Sequence, residues 1–458
     1  MMPIPSQRID RAAVLLLGLG LVARLLWLMI VHPEPMVDFA YYYNRAVEQS
    51  LGEGYNWMGH STAYYPVGTS SLLAATFLLF GASVPTAQVV AFIAGLLTIG
   101  LTYLLAREFG RLRPALWAAA LVAIEPDLIV STGLVASENF YLPSLLAALL
   151  LMLRALRGTP RWPALALLGG MLFGVSLLVR STGVILVPLL ALIPVLQWSR
   201  QWRRGLLTAA GFLLGAALVV SPWIARNAQV MGAPVLSTNG GIALWWGNNL
   251  NASGGFPLST TNPTQDLSSI QAELASNRYY SAQAKSFIVE HPRRWLALAA
   301  PKFVFLFGPV SSDLGYWTMH RHAGGPTSID VNPVLEPVRA ARLKDNELRA
   351  LSPLEDKAIG AYYRLARYHV DLAMSVAFWV FGLAGLFLLA RRREDAWRAT
   401  LLLLSVVGWV VFHITLGNGQ PRYLMPMMPL LVVGTAWCMT LLLDRAGFAE
   451  QPDTARAS

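Results

Sequence analysis

Residues 31–57 read VHPEPMVDFAYYYNRAVEQSLGEGYNW. An aspartate, Asp38, stands shortly after an apolar run, with Phe39, Tyr41, Tyr42 and Tyr43 close behind it. A segment that merely joins two helices needs neither the charge nor the aromatic surface. How the rest of the chain folds turns on whether this stretch is a connector or a working element.

The apolar run before it, roughly 12–31, is about 20 residues long and so long enough to cross a bilayer. It lacks a small-residue cleavage site and reads as a retained helix. The whole chain has 458 residues, 55% hydrophobic and only 13% charged, with mean hydropathy +0.50. Soluble proteins carry about 25% charged residues. The expectation is an all-α polytopic membrane protein. The net charge of +10 fits basic cytoplasmic loops better than nucleic acid, and no nucleic-acid partner is expected. The single cysteine, Cys438, lies in an apolar run; it rules out an intrachain disulfide and argues against thiol chemistry or a cysteine metal site.

Outward from residue 57, apolar runs fall near 84–106, 115–131, 137–153, 164–179, 181–198, 206–224, 371–390, 399–416 and 423–443. With the first, they give about 10 transmembrane helices, within a range of 10–12. Two shorter runs, 65–80 and 295–309, read as half-helices at the interface. Basic clusters set the sidedness. Arg107, Arg111 and Arg113 form one, Arg154, Arg157 and Arg161 a second, Arg200, Arg203 and Arg204 a third, and Arg391, Arg392, Arg393 and Arg398 a fourth. Placing all four in the cytoplasm divides the chain. Residues 1–224 become a seven-helix module with an outer loop at 32–83. Residues 225–370 become an extracytoplasmic region with juxtamembrane helices, 371–443 the last helices, and 444–458 a cytoplasmic tail. In the second outer segment, STNGGIALWWGNNLNASGG reads as turn-rich loop. QAELASNRYYSAQAKSFIVE has helical periodicity.

This topology gathers seven charged residues at one face: Asp38, Glu125, Asp127, Glu138, Arg180, Arg226 and Arg422. Ionisable groups at the edge of the bilayer core are costly and usually mark function or an internal pair. Plainer readings exist for several. Glu125, next to Pro126, reads as a cap at a helix kink, and Arg24 as half of a structural pair between helices. Arg226 or Arg422 alone would serve as an interfacial anchor, and the tyrosines as an aromatic belt. His291 reads as a helix end before Pro292. Taken together, acids and arginines at one face suit an anionic, lipid-linked group, because arginine offers phosphate a planar fork.

In order and spacing, a series of segments resembles the GT-C glycosyltransferases. Within these it is similar to the bacterial branch related to the protein O-mannosyltransferases (glycosyltransferase family 39 type) and the lipid A aminoarabinose transferase. The segments are VDFAYYYNRAVEQSLGEGY, YYPVGTSSLLAATFLLFG, AALVAIEPDLIVSTGLVASENFY, GGMLFGVSLLVRSTGVILVP, SPWIARNAQVMGAPVLSTNGGIALWWGNN, EHPRRWLALAAPKF and QPRYLMPMMPLL. The chain departs from the pattern in having Phe39 directly after Asp38, Gln88 where an arginine is common, and no lysine in TAYYPVG.

The resemblance implies a GT-C fold, a polyprenyl-phosphate-linked sugar donor, and metal-independent, inverting transfer at the far side of a bacterial cytoplasmic membrane. It implies that Asp38 acts as base or positions the acceptor, a lipid, a glycan or a protein. Tyr42 and Tyr43 would line a sugar or acceptor cleft. Arg180, Arg226, Arg422 and Lys302 would hold the donor phosphate, and Glu138, Asn227 and Tyr423 would contact sugar or acceptor. No cofactor is expected, and a divalent metal stays open. Membrane lipids are the remaining partner. Two rival readings are a flippase or transporter of a lipid-linked intermediate, with ionisable groups near the midplane, and a scaffold of an envelope complex.

Overall fold

The computed structural model describes residues 11–31, 33, 35, 38–255, 265–307 and 372–448, together with 354, 357 and 370. Parts of the expected extracytoplasmic region, 256–264 and nearly all of 308–371, lie outside the described residues, as does most of the expected tail. The described residues are overwhelmingly helical, with one two-residue hairpin among them, Asn56–Trp57 against His60–Ser61.

Helix α1 (Arg11–Ile30) is followed by α2 (Asp38–Ser50), α3 (Gly68–Phe80), α4 (Val84–Arg107) and α5 (Leu112–Ile124). Then come α6 (Pro126–Val130), α7 (Ser137–Leu156), α8 (Trp162–Val179), α9 (Val187–Gln197) and α10 (Trp202–Met231). Four helices follow: α11 (Gly240–Gly247), α12 (Ile270–Glu290), α13 (Pro292–Ala297) and α14 (Ala299–Leu306). The last three are α15 (Leu372–Ala390), α16 (Ala396–Thr415) and α17 (Met428–Leu443).

Among the described residues, eight helices are long and apolar enough to cross a membrane, or nine if α5 and α6 form one bent span. Helices fall on all ten expected segments, with three differences. Residues 115–131 are not one straight helix but break by 62°, because Pro126 lacks the N–H that would continue α5. Residues 181–198 open as a 3-10 stretch, Ser181–Leu186, before α9. Residues 206–224 extend to Met231, so α10 is ~45 Å long, longer than a ~30 Å core, with Arg226 and Asn227 in its last two turns. At 13 residues, α3 is only ~20 Å long, well short of a ~30 Å core.

Outside the spans, Asp38 opens a helix. GGIALWWG, read as loop, folds as α11 because it has a surface to pack on. A Cβ on Gly241 would lie 2.1 Å from the Asn277 carbonyl of α12, and Trp245 meets Tyr280 edge-on at 5.6 Å. His291 does end α12 before Pro292.

Lipid offers apolar side chains as good a partner as protein does, so close packing here relies on small residues. Helices α8 and α10 show this. A Cβ on Gly170 would stand 1.9 Å from the Phe212 carbonyl, and one on Gly215 would stand 2.1 Å from that of Leu167.

The break at Pro126 leaves carbonyls of α5 without helical partners inside apolar surroundings, where each costs free energy. Arg24 of α1 fills the gap. Its buried guanidinium donates to the Val122 carbonyl at 2.7 Å and also to that of Ala123. Glu125 caps α6, accepting from the Leu128 N–H at 2.6 Å. The expected kink cap is therefore present, and Arg24 pairs mainly with backbone.

The basic clusters meet at one end of the bundle. Arg154 and Arg157 contact the Glu108 carboxylate at 2.9 and 3.0 Å, and Arg398 donates to the Glu108 carbonyl at 2.8 Å. Arg111 and Arg113 pair with Asp444 at 2.6 and 3.4 Å. The Arg204 guanidinium lies over Gly158. Helices α7 and α8 then run to the opposite end, where Glu138 and Arg180 sit.

Arg24→Met leaves two buried carbonyls unpaired and destabilises the protein by roughly 2–5 kcal/mol. Adding Pro126→Ala returns an N–H for Val122 and recovers part of that loss. A double variant no more stable in detergent melts than Arg24→Met alone would contradict the assignment.

Candidate active site

Asp38 is the first residue of α2, in the short crossing from α1. Its Oδ2 lies 3.1 Å from an Arg422 Nη, and its Oδ1 accepts from the Tyr65 hydroxyl at 2.7 Å. Arg422 belongs to the 3-10 stretch Pro421–Met427 before α17, and its Nε donates to the Gln420 side chain at 3.1 Å. The same Nε is 4.0 Å from Glu138 Oε1, which pairs with Arg180 at 2.6 Å. Arg180 also donates to the Ser137 hydroxyl at 2.9 Å. Two carboxylates and two guanidinium groups thus alternate in a charge-balanced row. They come from α2, α7, the end of α8 and the approach to α17.

The local folding explains the positions. Glu138 lies in the first turn of α7, where a carboxylate favours the positive end of the helix dipole. Arg180 ends α8 in extended backbone ahead of the Ser-Thr-Gly turn. Arg422 follows Pro421, whose fixed φ directs the chain away from α16.

Aromatic rings close one side. Tyr42 packs against Tyr65 with ring centres 5.3 Å apart. Tyr41, Tyr55, Trp57, Tyr64 and Trp223 continue the cluster. Burial first, and then the Asp38 carboxylate, push the Tyr42 and Tyr65 hydroxyls well above the ordinary phenol range. Both remain protonated donors at neutral pH. The Tyr423 ring lies beneath Arg180 and Arg422, at 5.7 and 5.6 Å from their guanidinium carbons.

Of the ten residues singled out from sequence, six meet here: Asp38, Tyr42, Glu138, Arg180, Arg422 and Tyr423. The other four have different surroundings. Tyr43 turns to the opposite side of α2 and packs on Phe77 of α3 at 5.4 Å, so it does not share the Tyr42 cleft. Arg226 donates to the carbonyls of Thr62 and Tyr55 at 2.9 and 3.1 Å, and to Asn227 Oδ1. It fastens the 51–67 segment to α10. Asn227 donates to the Val235 carbonyl at 2.8 Å and closes the turn after α10.

Lys302 is buried on α14. Its Nζ donates to Asn248 Oδ1 at 3.0 Å and to the Thr415 carbonyl at 2.9 Å. Its amine joins α14 to the end of α16 and not to the acid–arginine row. Glu125 and Asp127 belong to the bend between α5 and α6. Among the described residues, no group of three or more His, Cys, Asp or Glu is arranged to hold a metal ion.

Residues 65–225, about a third of the chain, match the family model described as dolichyl-phosphate-mannose-protein mannosyltransferase. No curated protein sequence matches the chain. The archaeal oligosaccharyltransferase AglB from Archaeoglobus fulgidus, solved with an inhibitory peptide and a dolichol-phosphate, superposes with a TM-score of 0.52 at 17% identity. The match covers 98% of this chain and 52% of AglB. A second structure of the Archaeoglobus fulgidus oligosaccharyltransferase, with Zn and sulfate, gives a TM-score of 0.54 at 18% identity, over 95% of this chain and 50% of the other. The fold is GT-C.

ArnT from Cupriavidus metallidurans, bound to undecaprenyl phosphate, superposes more loosely. Its TM-score is 0.43 at 16% identity, over 95% of this chain and 78% of ArnT. The chain spans about half the length of the two oligosaccharyltransferase structures.

Within this GT-C fold, sequence reasoning passed over four residues that hold the row in place. Tyr65 and Gln420 touch Asp38 and Arg422 directly, and their only sequence signal is a place beside Pro66 and Pro421. Ser137 touches Arg180. Glu273 of α12 is buried and accepts from the Thr62 hydroxyl, the Ala63 N–H and the Thr238 hydroxyl at 2.8, 3.1 and 2.5 Å. It binds the segment carrying Tyr64 and Tyr65 to the region after α10. Gln88, the departure noted above, donates to the carbonyls of Pro33 and Gly133 at 3.1 Å each.

Burial lowers the Lys302 pKa from its ordinary 10.5 to about 8. Between those values the unfolded chain binds a proton that the folded chain does not, so stability rises with pH across the window. Below about pH 8 the full penalty is present. Melts of wild type and Lys302→Met from pH 7.5 to 10 are expected to diverge upward for wild type; parallel curves would refute this.

Proposed function

We propose that the protein is an integral membrane glycosyltransferase. It moves a sugar from a polyprenyl-phosphate-linked donor to a hydroxyl or amine of a lipid, glycan or protein acceptor. The row of Asp38, Arg422, Glu138 and Arg180 at one end of the bundle carries this reading. The match of residues 65–225 to the mannosyltransferase family model supports the same class. The basic clusters at the opposite end, read by the positive-inside rule, support an active site on the extracytoplasmic face of a bacterial cytoplasmic membrane.

The mechanism follows from the charges. In the resting row each guanidinium is already neutralised by a carboxylate. A donor phosphate enters by taking over Arg422 and Arg180, which are held in place by Gln420, Ser137 and Glu138. Drawing Arg422 toward phosphate frees one oxygen of Asp38, while Tyr65 keeps the other oriented. Asp38 then receives the acceptor proton as the acceptor attacks the anomeric carbon from the face opposite the phosphate. The bond from that carbon to the phosphate oxygen breaks with its electron pair on phosphate, and configuration inverts. Preorganised arginines stabilise the growing charge on the leaving polyprenyl phosphate. Tyr42, Tyr65 and Tyr423 offer the sugar aromatic faces and donors.

A transporter of lipid-linked intermediates would place its ionisable groups near the midplane, at broken helices. Here the row lies at helix ends, and the broken α5–α6 pair is stitched by Arg24 and Glu125. This favours the enzyme.

Purified protein in detergent, given a labelled sugar on polyprenyl phosphate and an envelope extract as acceptor, tests the proposal. Asp38→Asn is expected to abolish transfer while leaving the fold and donor binding largely intact; full activity in that variant would remove the base. Tyr65→Phe forfeits one hydrogen bond to Asp38, of about 1–1.5 kcal/mol, and is expected to slow transfer roughly tenfold. Arg422→Lys should retain more donor affinity than Arg422→Ala.

A further inference from the structure

A second site of a different kind lies at the far end of the bundle. Arg157, just past the end of α7, lies nineteen positions after Glu138, or ~28 Å along the helix axis. Beside Arg157 is a cavity of about 380 Å³ whose walls include Gln197, Arg393, Glu394, Trp397 and Arg398. These come from the end of α7, the last residue of α9, the turn between α15 and α16 (Arg393, Glu394) and the first turn of α16 (Trp397, Arg398).

Two features of this cavity are left uncompensated among the described residues. The first is charge. Arg154, Arg157, Arg392, Arg393 and Arg398 surround Glu108, Glu394 and Asp395. Five guanidinium groups against three carboxylates leave an excess of two positive charges beside apolar surface. Arg157 and Arg398 are held in place by Glu108 and Asp395, so their charge is preorganised. The second is a hydrogen bond. Gln197 donates its Nε2 to the Leu156 carbonyl at 2.5 Å, while its Oε1 is buried with no partner among the described residues. A buried acceptor left unpaired is costly. Arginines call for phosphate oxygens, and the amide oxygen calls for a hydroxyl or N–H donor.

The rim indicates where the ligand comes from. Trp397 of the cavity wall is 37% exposed, and Leu196, Phe387 and Leu388, close in sequence to the lining residues Gln197 and Arg393, are 42%, 52% and 42% exposed. They form an apolar flank along which acyl chains can lie, with an indole at headgroup level. We propose that this cavity binds the phosphate of an anionic glycerophospholipid whose headgroup carries a hydroxyl. Arg157, Arg393 and Arg398 face the phosphate, and Gln197 Oε1 accepts from the hydroxyl. A soluble phosphorylated polyol shares this chemistry. The site is independent of Asp38 and of the transfer proposed above.

The full-length protein in detergent is titrated with phosphatidylglycerol, phosphatidate, phosphatidylcholine or glycerol 3-phosphate, and binding is read by thermal shift and native mass spectrometry. Phosphatidylglycerol is expected to raise the unfolding midpoint and to remain bound, with phosphatidylcholine inert. Arg393→Gln, a change at an exposed position, should weaken phosphatidylglycerol binding roughly fivefold, the effect of one interfacial charge. Gln197→Leu should erase the preference for phosphatidylglycerol over phosphatidate. An equal shift with glycerol 3-phosphate would assign the site to a soluble ligand of the same chemistry. Equal response to phosphatidylcholine, or unchanged binding by Arg393→Gln, would overturn the proposal.

Discussion

The ion pair between Asp38 and Arg422 joins residues 384 positions apart and ties the first inter-helix crossing to the approach to the last helix. Such a pair at the edge of an apolar slab pays a desolvation cost that one contact does not repay. It persists as part of a network. Tyr65 donates to the free carboxylate oxygen, Gln420 accepts from the guanidinium, and Glu138 with Arg180 extends the row. Members of such networks support one another beyond their pairwise strength. The same balance of charge means that each guanidinium of the row is already matched by a carboxylate.

Around the row, buried polar groups serve as fasteners. Glu273 and Arg226 grip main-chain groups of Tyr55, Thr62 and Ala63 from opposite sides, holding the segment that presents Tyr65. Lys302 and Asn248 bind the surface helices to the end of α16. Arg24 repairs the backbone where Pro126 breaks α5. Each satisfies backbone that the apolar surroundings leave without water. This accounts for charged residues far from the reacting groups.

Much of the fold was legible because membrane helices announce themselves by length and hydropathy. All ten expected segments are helical, and the proline break altered the path of one of them. Less of the candidate site could be read. Asp38, Glu138, Arg180 and Arg422 stood out as ionisable groups near span ends, where their cost demands an explanation. Tyr65 and Gln420 did not, because tyrosine and glutamine beside prolines are ordinary in segments between helices, and Ser137 and Glu273 did not, because a serine or glutamate in the first turn of a helix reads as an ordinary helix start. Lys302, Arg226 and Asn227 carried the right chemistry for a phosphate or sugar site. Their side chains point instead to main-chain carbonyls and a neighbouring amide, and side-chain direction has no trace in spacing.

The sequence by itself determined that the chain crosses a membrane many times and that acids and arginines crowd the ends of its spans. Apolar length and the energetic cost of charge are local properties, written residue by residue. Only the tertiary structure decided which acid meets which arginine, and which cations are spent on holding the backbone together. Those pairings depend on distances between segments hundreds of residues apart, set by how the helices pack and where α5 breaks.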